Sequence, residues 1–316
     1  MNGIDAATRA AIAAARGAAP GTLRAWREGL VWRMLAARFA ACPAGDGATA
    51  MACAAELLGD TGWVEALLHP LIEALAADPL FEPPLRVSRD PLRIGAVLFE
   101  CPAVKLSACI TSAAALRRMP APASCTFSGR LAVTRYVRAG GATLRRWRTA
   151  PADAEFRAAA APPCVEKAPV LPADGAVVAI DGRSEAQLLS DATSDVVTLT
   201  FTARTGTPLM REHAIDDGRL LRIASSEDRA SRTEMLLAFL RLSDRVDAGP
   251  CFETATRDPA FHLRWAAMRE WLALDARAAC PRLEAMAAGD PHPEVRDAAA
   301  RTLAVVRPKL AAPCPA

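Results

Sequence analysis

"GRLAVTRYVRAGGATLRRWRT", residues 129–149, decides how the middle of this chain is read. In an extended chain successive side chains point to opposite faces. Leu131, Val133 and Val137 then lie on one side, and Arg130, Tyr136 and Arg138 on the other. Gly140-Gly141 interrupts the run, and a diglycine between two such segments signals a tight hairpin turn. The following "ATLRRWRT" reads as the return strand, with Arg145 and Trp147 sharing a face. The stretch is expected to be an arginine-rich β-hairpin.

Around it, residues 86–225 carry further short runs rich in β-branched residues and bounded by Gly, Asp and Pro: "LRIGAVLFE", "AVVAID", "DVVTLTFTA" and "RLLRIAS". "DDGRL" (216–220) is a second hairpin-turn candidate. Six to nine short strands at this spacing predict an antiparallel β-sandwich or barrel. The order of glycine turns resembles a cupin-like β-barrel, which implies a pocket inside the barrel. Residues 150–175, rich in Ala and Pro, are expected to form a long loop.

Residues 1–85 read as an N-terminal helical segment. Leu23, Trp26, Leu30 and Met34, with Val31, Leu35 and Phe39, fall at helical spacing in 22–41, and "CPAGDGAT" (42–49) ends that helix. Pro70 is expected to kink or divide the helix that follows Asp60 or Thr61. Residues 226–316 return to helix. "SSEDRASRTEMLLAFLRLSDRV" opens on a Ser-acid start signal, with an apolar face through Met235, Leu236, Phe239, Leu240 and Leu242.

Within that last segment "GDPHPEVRDAAARTLAVV" (289–306) overlays "DPAFHLRWAAMREWLAL" (258–274) at a shift of 32 residues. Asp258 meets Asp290, Pro259 meets Pro291, Arg264 meets Arg296, and Ala266-Ala267 meet Ala298-Ala299. Residues 229–310 therefore resemble the HEAT-repeat family, in which an Asp-Pro turn and a Val-Arg pair open the second helix. The resemblance implies stacked helix pairs, with Arg264 and Arg296 on the repeat surface. Two units fall short of the roughly three that usually bury a continuous core. The pair should dock on the rest of the chain, either as a brace or as a partner-binding face.

Alanine dominates the apolar residues, and the only lysines are Lys105, Lys167 and Lys309, a bias that reads as a GC-rich bacterial gene. Net charge is +3, too small to imply nucleic acid. By segment it is −3 for 1–85, +9 for 86–170, −3 for 171–225 and 0 for 226–316. DNA is further disfavoured by the lack of a helix-turn-helix signal. No apolar run approaches the ~18 residues of a membrane span, and an early Asp and Arg argue against a signal peptide. The expectation is a cytoplasmic protein with mostly reduced thiols among its nine cysteines.

Chemistry is sparse. There is no GxSxG, GxxxxGK[ST] or GxGxxG, and the four histidines are His69, His213, His262 and His292. Only His213 lies in the β region, so the two or three His with an acid that a metal-binding cupin needs are missing. No metal and no cofactor are expected. Cys-Pro at 42–43, 101–102, 280–281 and 314–315 resembles the short haem-regulatory motif, but proline collecting at helix and loop boundaries is the far better explanation. The reading is an α+β chain: N-terminal helices, a β-sandwich or cupin-like barrel, and C-terminal HEAT-like repeats. Its function is expected to be that of a non-enzymatic accessory protein. Arg130, Arg135, Tyr136, Arg138, Arg145, Arg146, Trp147 and Arg148 would bind another protein or an anionic small molecule or peptide. The alternative is a cupin-like enzyme or a small-molecule or haem sensor whose pocket lies inside the β domain, involving Glu212, His213 or a cysteine.

Overall fold

The computed structural model describes residues 5–311 apart from 44, 84, 153–155, 207–208 and 226–227. Four helices open the chain: α1 (Ala6–Arg27), α2 (Leu30–Ala40), α3 (Gly47–Gly59) and α4 (Gly62–Ala77). The helix expected across 22–41 breaks at Gly29, which turns to extended backbone and caps α2. Its backbone passes so close to the end of α1 that a Cβ would lie 2.9 Å from the Trp26 carbonyl oxygen. Asp46 caps α3, accepting from the Thr49 amide at 3.0 Å. Pro70 does not divide α4, which runs through it with Leu67 and Leu71 buried on either side.

Twelve strands follow among the described residues, more than the six to nine expected. They are β1 (Arg86–Arg89), β2 (Arg93–Glu100), β3 (Val104–Thr111), β4 (Ser124–Phe127), β5 (Arg130–Arg138), β6 (Thr143–Arg148), β7 (Val165–Val170), β8 (Val177–Asp181), β9 (Glu185–Ser190), β10 (Val196–Gly206), β11 (Leu209–Ala214) and β12 (Leu220–Ser225). A short α5 (Ala113–Arg118) joins β3 to β4. The strands form three antiparallel sheets, ordered β1-β2-β3-β10-β5-β8, β12-β11-β4 and β7-β6-β9. The stretch expected as a loop at 150–175 contains β7, an exposed strand that owes its form to ladder pairing with β6.

The opening hairpin is corrected. β5 pairs with β10 and β8, whereas β6 pairs with β7 and β9, so the two never pair with each other. The Gly140-Gly141 turn instead carries the chain from one sheet to another. Gly140 has φ +61, and a Cβ there would lie 2.2 Å from the Ser194 carbonyl oxygen. Only glycine accepts both that backbone and that approach. "DDGRL" does join two paired strands, β11 and β12.

One core forms where the outer face of the six-stranded sheet meets the N-terminal helices. Phe99, Leu106, Val133, Leu199 and Phe201 from the sheet pack with Leu35, Phe39, Ala54, Leu58 and Leu67. Trp26 crosses it, its indole N–H donating to the Leu67 carbonyl at 2.7 Å.

The C-terminal helices are α6 (Asp228–Leu242), α7 (Gly249–Ala255), α8 (Phe261–Leu274), α9 (Ala276–Gly289) and α10 (Pro293–Ala311). They enclose a second core of Phe252, Ala267, Met268, Leu283, Val295 and Ala299, and α6 and α8 lie on β12. Arg157 bridges to Asp297 at 3.2 Å, and Glu294 accepts from the Ala158 amide at 3.0 Å. The start signal proposed at Ser226-Glu227 lies outside the described residues. The apolar face expected on α6 is corrected: Leu237 is buried and Leu240 partly so, whereas Met235, Leu236, Phe239 and Leu242 are exposed. The core takes only the side of the helix that carries Leu237 and Leu240.

Contacts recur at the 32-residue shift. Arg264 Nη1 donates to the Asp258 carbonyl at 2.9 Å, and Arg296 Nη1 donates to the Asp290 carbonyl at 2.6 Å. Leu263 and Val295 are fully buried, as are Ala267 and Ala299. Arg264 is not on a surface, as expected of it, but 6% exposed, clamping the carboxylate of Asp290 at 2.6 and 2.9 Å.

Candidate functional site

The inner face of the six-stranded sheet is polar. In-register pairing lines its residues into rows across β2, β3, β10 and β5. One row holds Glu100, Lys105 and Thr202; the next holds Val97, Ser107, Thr200 and Thr134, with Arg86 of β1 beside Val97. A third runs from Ser88 through Gly95, Cys109 and Thr198 to Tyr136, and a fourth holds Arg93, Thr111 and Val196. Between Val97 and Phe99 a register shift in β2 brings both Val97 and Glu100 to this face.

Over this floor lie Leu116 of α5, Leu144 of β6 and Gln187, Leu188 and Leu189 of β9, lining a half-open cavity of about 640 Å³. That volume falls in the range of small-molecule sites, roughly 300–1,000 Å³. Hydroxyls and cations cover one wall, and leucines most of the other. Thr134 Oγ1 and Thr200 Oγ1 are 3.0 Å apart, and the Cys109 thiol is 4.0 Å from Thr111 Oγ1. Burial pushes the Tyr136 phenol up to about 12, so near neutrality it keeps its proton and serves as a hydrogen-bond donor.

The arginine-rich residues singled out from sequence are mostly consumed by the fold. Arg135 donates to the Leu58 and Gly59 carbonyls at 2.6 and 2.9 Å, completing the C-terminus of α3. Arg130 donates to the Ala203 and Arg204 carbonyls. Arg145 pairs with Glu166 at 2.9 Å and stacks over Trp147, and Arg146 faces Glu185 at 3.7 Å. Trp147 is buried in a small cluster with Cys125, Phe127, Cys164 and Ala186. Arg138 and Arg148 are exposed, and Tyr136 lines the cavity.

Glu212 and His213 lie outside the cavity. Glu212 accepts from Ser124 Oγ at 2.5 Å and pairs with Arg222. His213 is fully buried against Phe127, its Nδ1 2.8 Å from the Gly218 carbonyl oxygen, and burial lowers its pKa below the ordinary 6.5. Cys42-Pro43 follows α2, Cys101-Pro102 turns β2 into β3, and Cys280-Pro281 lies within α9. The fourth pair lies outside the described residues.

A cupin-type metal centre needs converging imidazole and carboxylate donors. The cavity offers hydroxyls, one phenol and one thiol, and its carboxylate, Asp90, sits at the rim accepting from the Leu92 and Arg93 amides at 2.8 Å. Among the described residues no group of three His, Cys, Asp or Glu side chains is placed to hold an ion. The residues present do not fit such a centre.

Lys105, Ser107 and Thr200 were missed in the sequence reading. The signal was period-two alternation: Lys105, Ser107, Cys109 and Thr111 against Leu106, Ala108 and Ile110, and Thr198, Thr200 and Thr202 against Leu199 and Phe201.

No protein-family model matches the chain, and no curated protein matches it in sequence. Among solved structures it aligns with a cupin-superfamily sugar phosphate isomerase from Silicibacter pomeroyi DSS-3. Identity is 12%, over 42% of this chain and 76% of that one, with a TM-score of 0.22. It also aligns with a crystal structure of DMSP lyases at 14% identity, over 63% of this chain and 94% of that one, with a TM-score of 0.24. Alignments at these scores speak to neither substrate nor site. The expectation of a non-enzymatic accessory protein is corrected: of the residues it relied on, Arg135 completes α3, Arg145 pairs with Glu166 and Trp147 is buried. Among the described residues no helix is long and apolar enough to cross a membrane.

Proposed function

We propose that the β domain is a cupin-like small-molecule site and that the chain is an enzyme acting on a polar ligand held inside it. The single observation that carries this reading is the cavity, with its hydroxyl-bearing floor and its leucine-rich roof. Ser107, Thr198, Thr200 and Tyr136 would hydrogen-bond the ligand's oxygen atoms, and the leucines would exclude water and strengthen those bonds. Tyr136, held protonated, can donate a hydrogen bond to the ligand. A sensor is the second reading. It is favoured by α6, whose Arg229, Arg232, Thr233 and Leu236 line a neighbouring cavity and so couple the ligand's surroundings to the C-terminal helices.

The proposal takes 226–316 as a HEAT-like pair acting as a brace, beside segments at 1–85 and 86–225. The contacts repeated at Arg264 and Arg296 support it.

The test is a thermal-shift screen of polar metabolites against the full chain and a Thr200→Trp variant that fills the cavity. Compounds that raise the wild-type melting temperature should leave the variant unmoved while its circular dichroism stays native. Equal stabilisation of both proteins, or no stabilising compound at all, would overturn the reading.

A further inference from the structure

The cavity continues past Arg86, Ser88, Val97 and Lys105 into a second space of about 1010 Å³ between the sheet and α6. Charge in that space is lopsided. Among the described residues Arg86, Lys105, Arg130, Arg204, Arg229 and Arg232 line it, against one carboxylate, Glu100. Glu100 already takes both Arg86 and Arg204. Arg229 is held by Asp258 at 2.8 Å, and Arg130 donates to backbone carbonyls. Lys105 and Arg232 have no carboxylate at ion-pair distance among the described residues.

Lys105 is no ordinary surface lysine. It stands half-buried on β3, flanked in register by Glu100 and Thr202, at the junction of the two spaces. Gathering like charges around a partly enclosed space costs stability through their repulsion, and such a cleft focuses a positive potential on whatever enters. A bound anion offsets both.

We propose that the ligand is an anion, its carboxylate or phosphate group received by Lys105, with Arg232 beside it, and its polar body lying along the hydroxyl rows. This rests on the small-molecule reading above but uses different residues from those that test it. Of the arginines expected to form a hairpin surface only Arg130 lines this space, and it donates to backbone carbonyls.

Isothermal titration of the full chain with inorganic phosphate and with citrate tests it, because the two probes separate the two anion classes. Binding of at least one should weaken tenfold or more in Lys105→Met and in Arg232→Met. Lys105→Arg should restore most of it, and Arg138→Met, outside both spaces, should leave it unchanged. Failure of both probes to bind, or equal binding in wild type and the Lys105→Met/Arg232→Met double variant, would overturn the inference. In that event a neutral compound that stabilises wild type but not Thr200→Trp would still leave the small-molecule reading standing.

Discussion

On β10, Leu199 and Phe201 point toward the N-terminal helices while Thr198, Thr200 and Thr202 point into the cavity, and β3 repeats the division with Leu106 against Lys105, Ser107 and Cys109. One face is closed by helices and holds the sheet in place. The other is roofed by β6 and β9 but left hollow. Stability is thereby concentrated on the outer face, which leaves the inner face free to carry polar groups that a packed core would penalise.

The comparison breaks most readily at Phe201. Phe201→Ala should cost about 3–5 kcal/mol in chemical denaturation, since it empties the shared core. A loss of less than about 1 kcal/mol would show that the outer face is not the structural one. A comparable effect is expected in the C-terminal helices, where the buried Arg264 is paired with Asp290. Arg264→Met leaves Asp290 uncompensated and should cost about 3–5 kcal/mol. Replacing both partners by apolar residues should recover much of that loss.

His213 gives a third, pH-dependent contrast. Burial lowers its folded-state pKa below 6.5, so the unfolded chain binds the proton more readily. Its contribution to stability is present above the unfolded value and is lost as pH falls through that value toward the folded one. Wild type should lose melting temperature on acidification from about pH 7 to pH 5 more steeply than His213→Gln. Parallel slopes would remove His213 from the account.

Smaller effects belong to the inner face. Thr200→Val removes the hydroxyl contact with Thr134 and should cost about 1 kcal/mol, far less than its neighbour Phe201. Arg138→Glu, on the exposed end of β5, should stay within about 0.5 kcal/mol of wild type.

Much of the fold was legible from residue patterns. The strands rich in Val, Leu and Phe, the helices that flank them and the turn glycines at 140–141 and 218 were all readable. β1, β3, β7, β9 and β11 lie outside the runs picked out from sequence, because charged or small residues interrupt them and pairing with a neighbouring strand is what makes them strands. The candidate site was hidden for a related reason. Arg130 to Arg148 stood out by density, yet density does not say whether an arginine meets solvent, a helix end or a carboxylate. The cavity residues are individually ordinary serines and threonines, and only their alternation marked them.

Local chemistry in the chain determined which segments extend, which coil into helix, and that Asp-Pro and Arg recur 32 residues apart, because propensity, capping and periodicity act over a few residues. Tertiary structure alone decided that the diglycine turn separates two sheets, that Arg264 is buried on Asp290, and that Lys105 faces a hollow. Those outcomes depend on which distant strands share hydrogen bonds, and strand pairing is a property of two segments together.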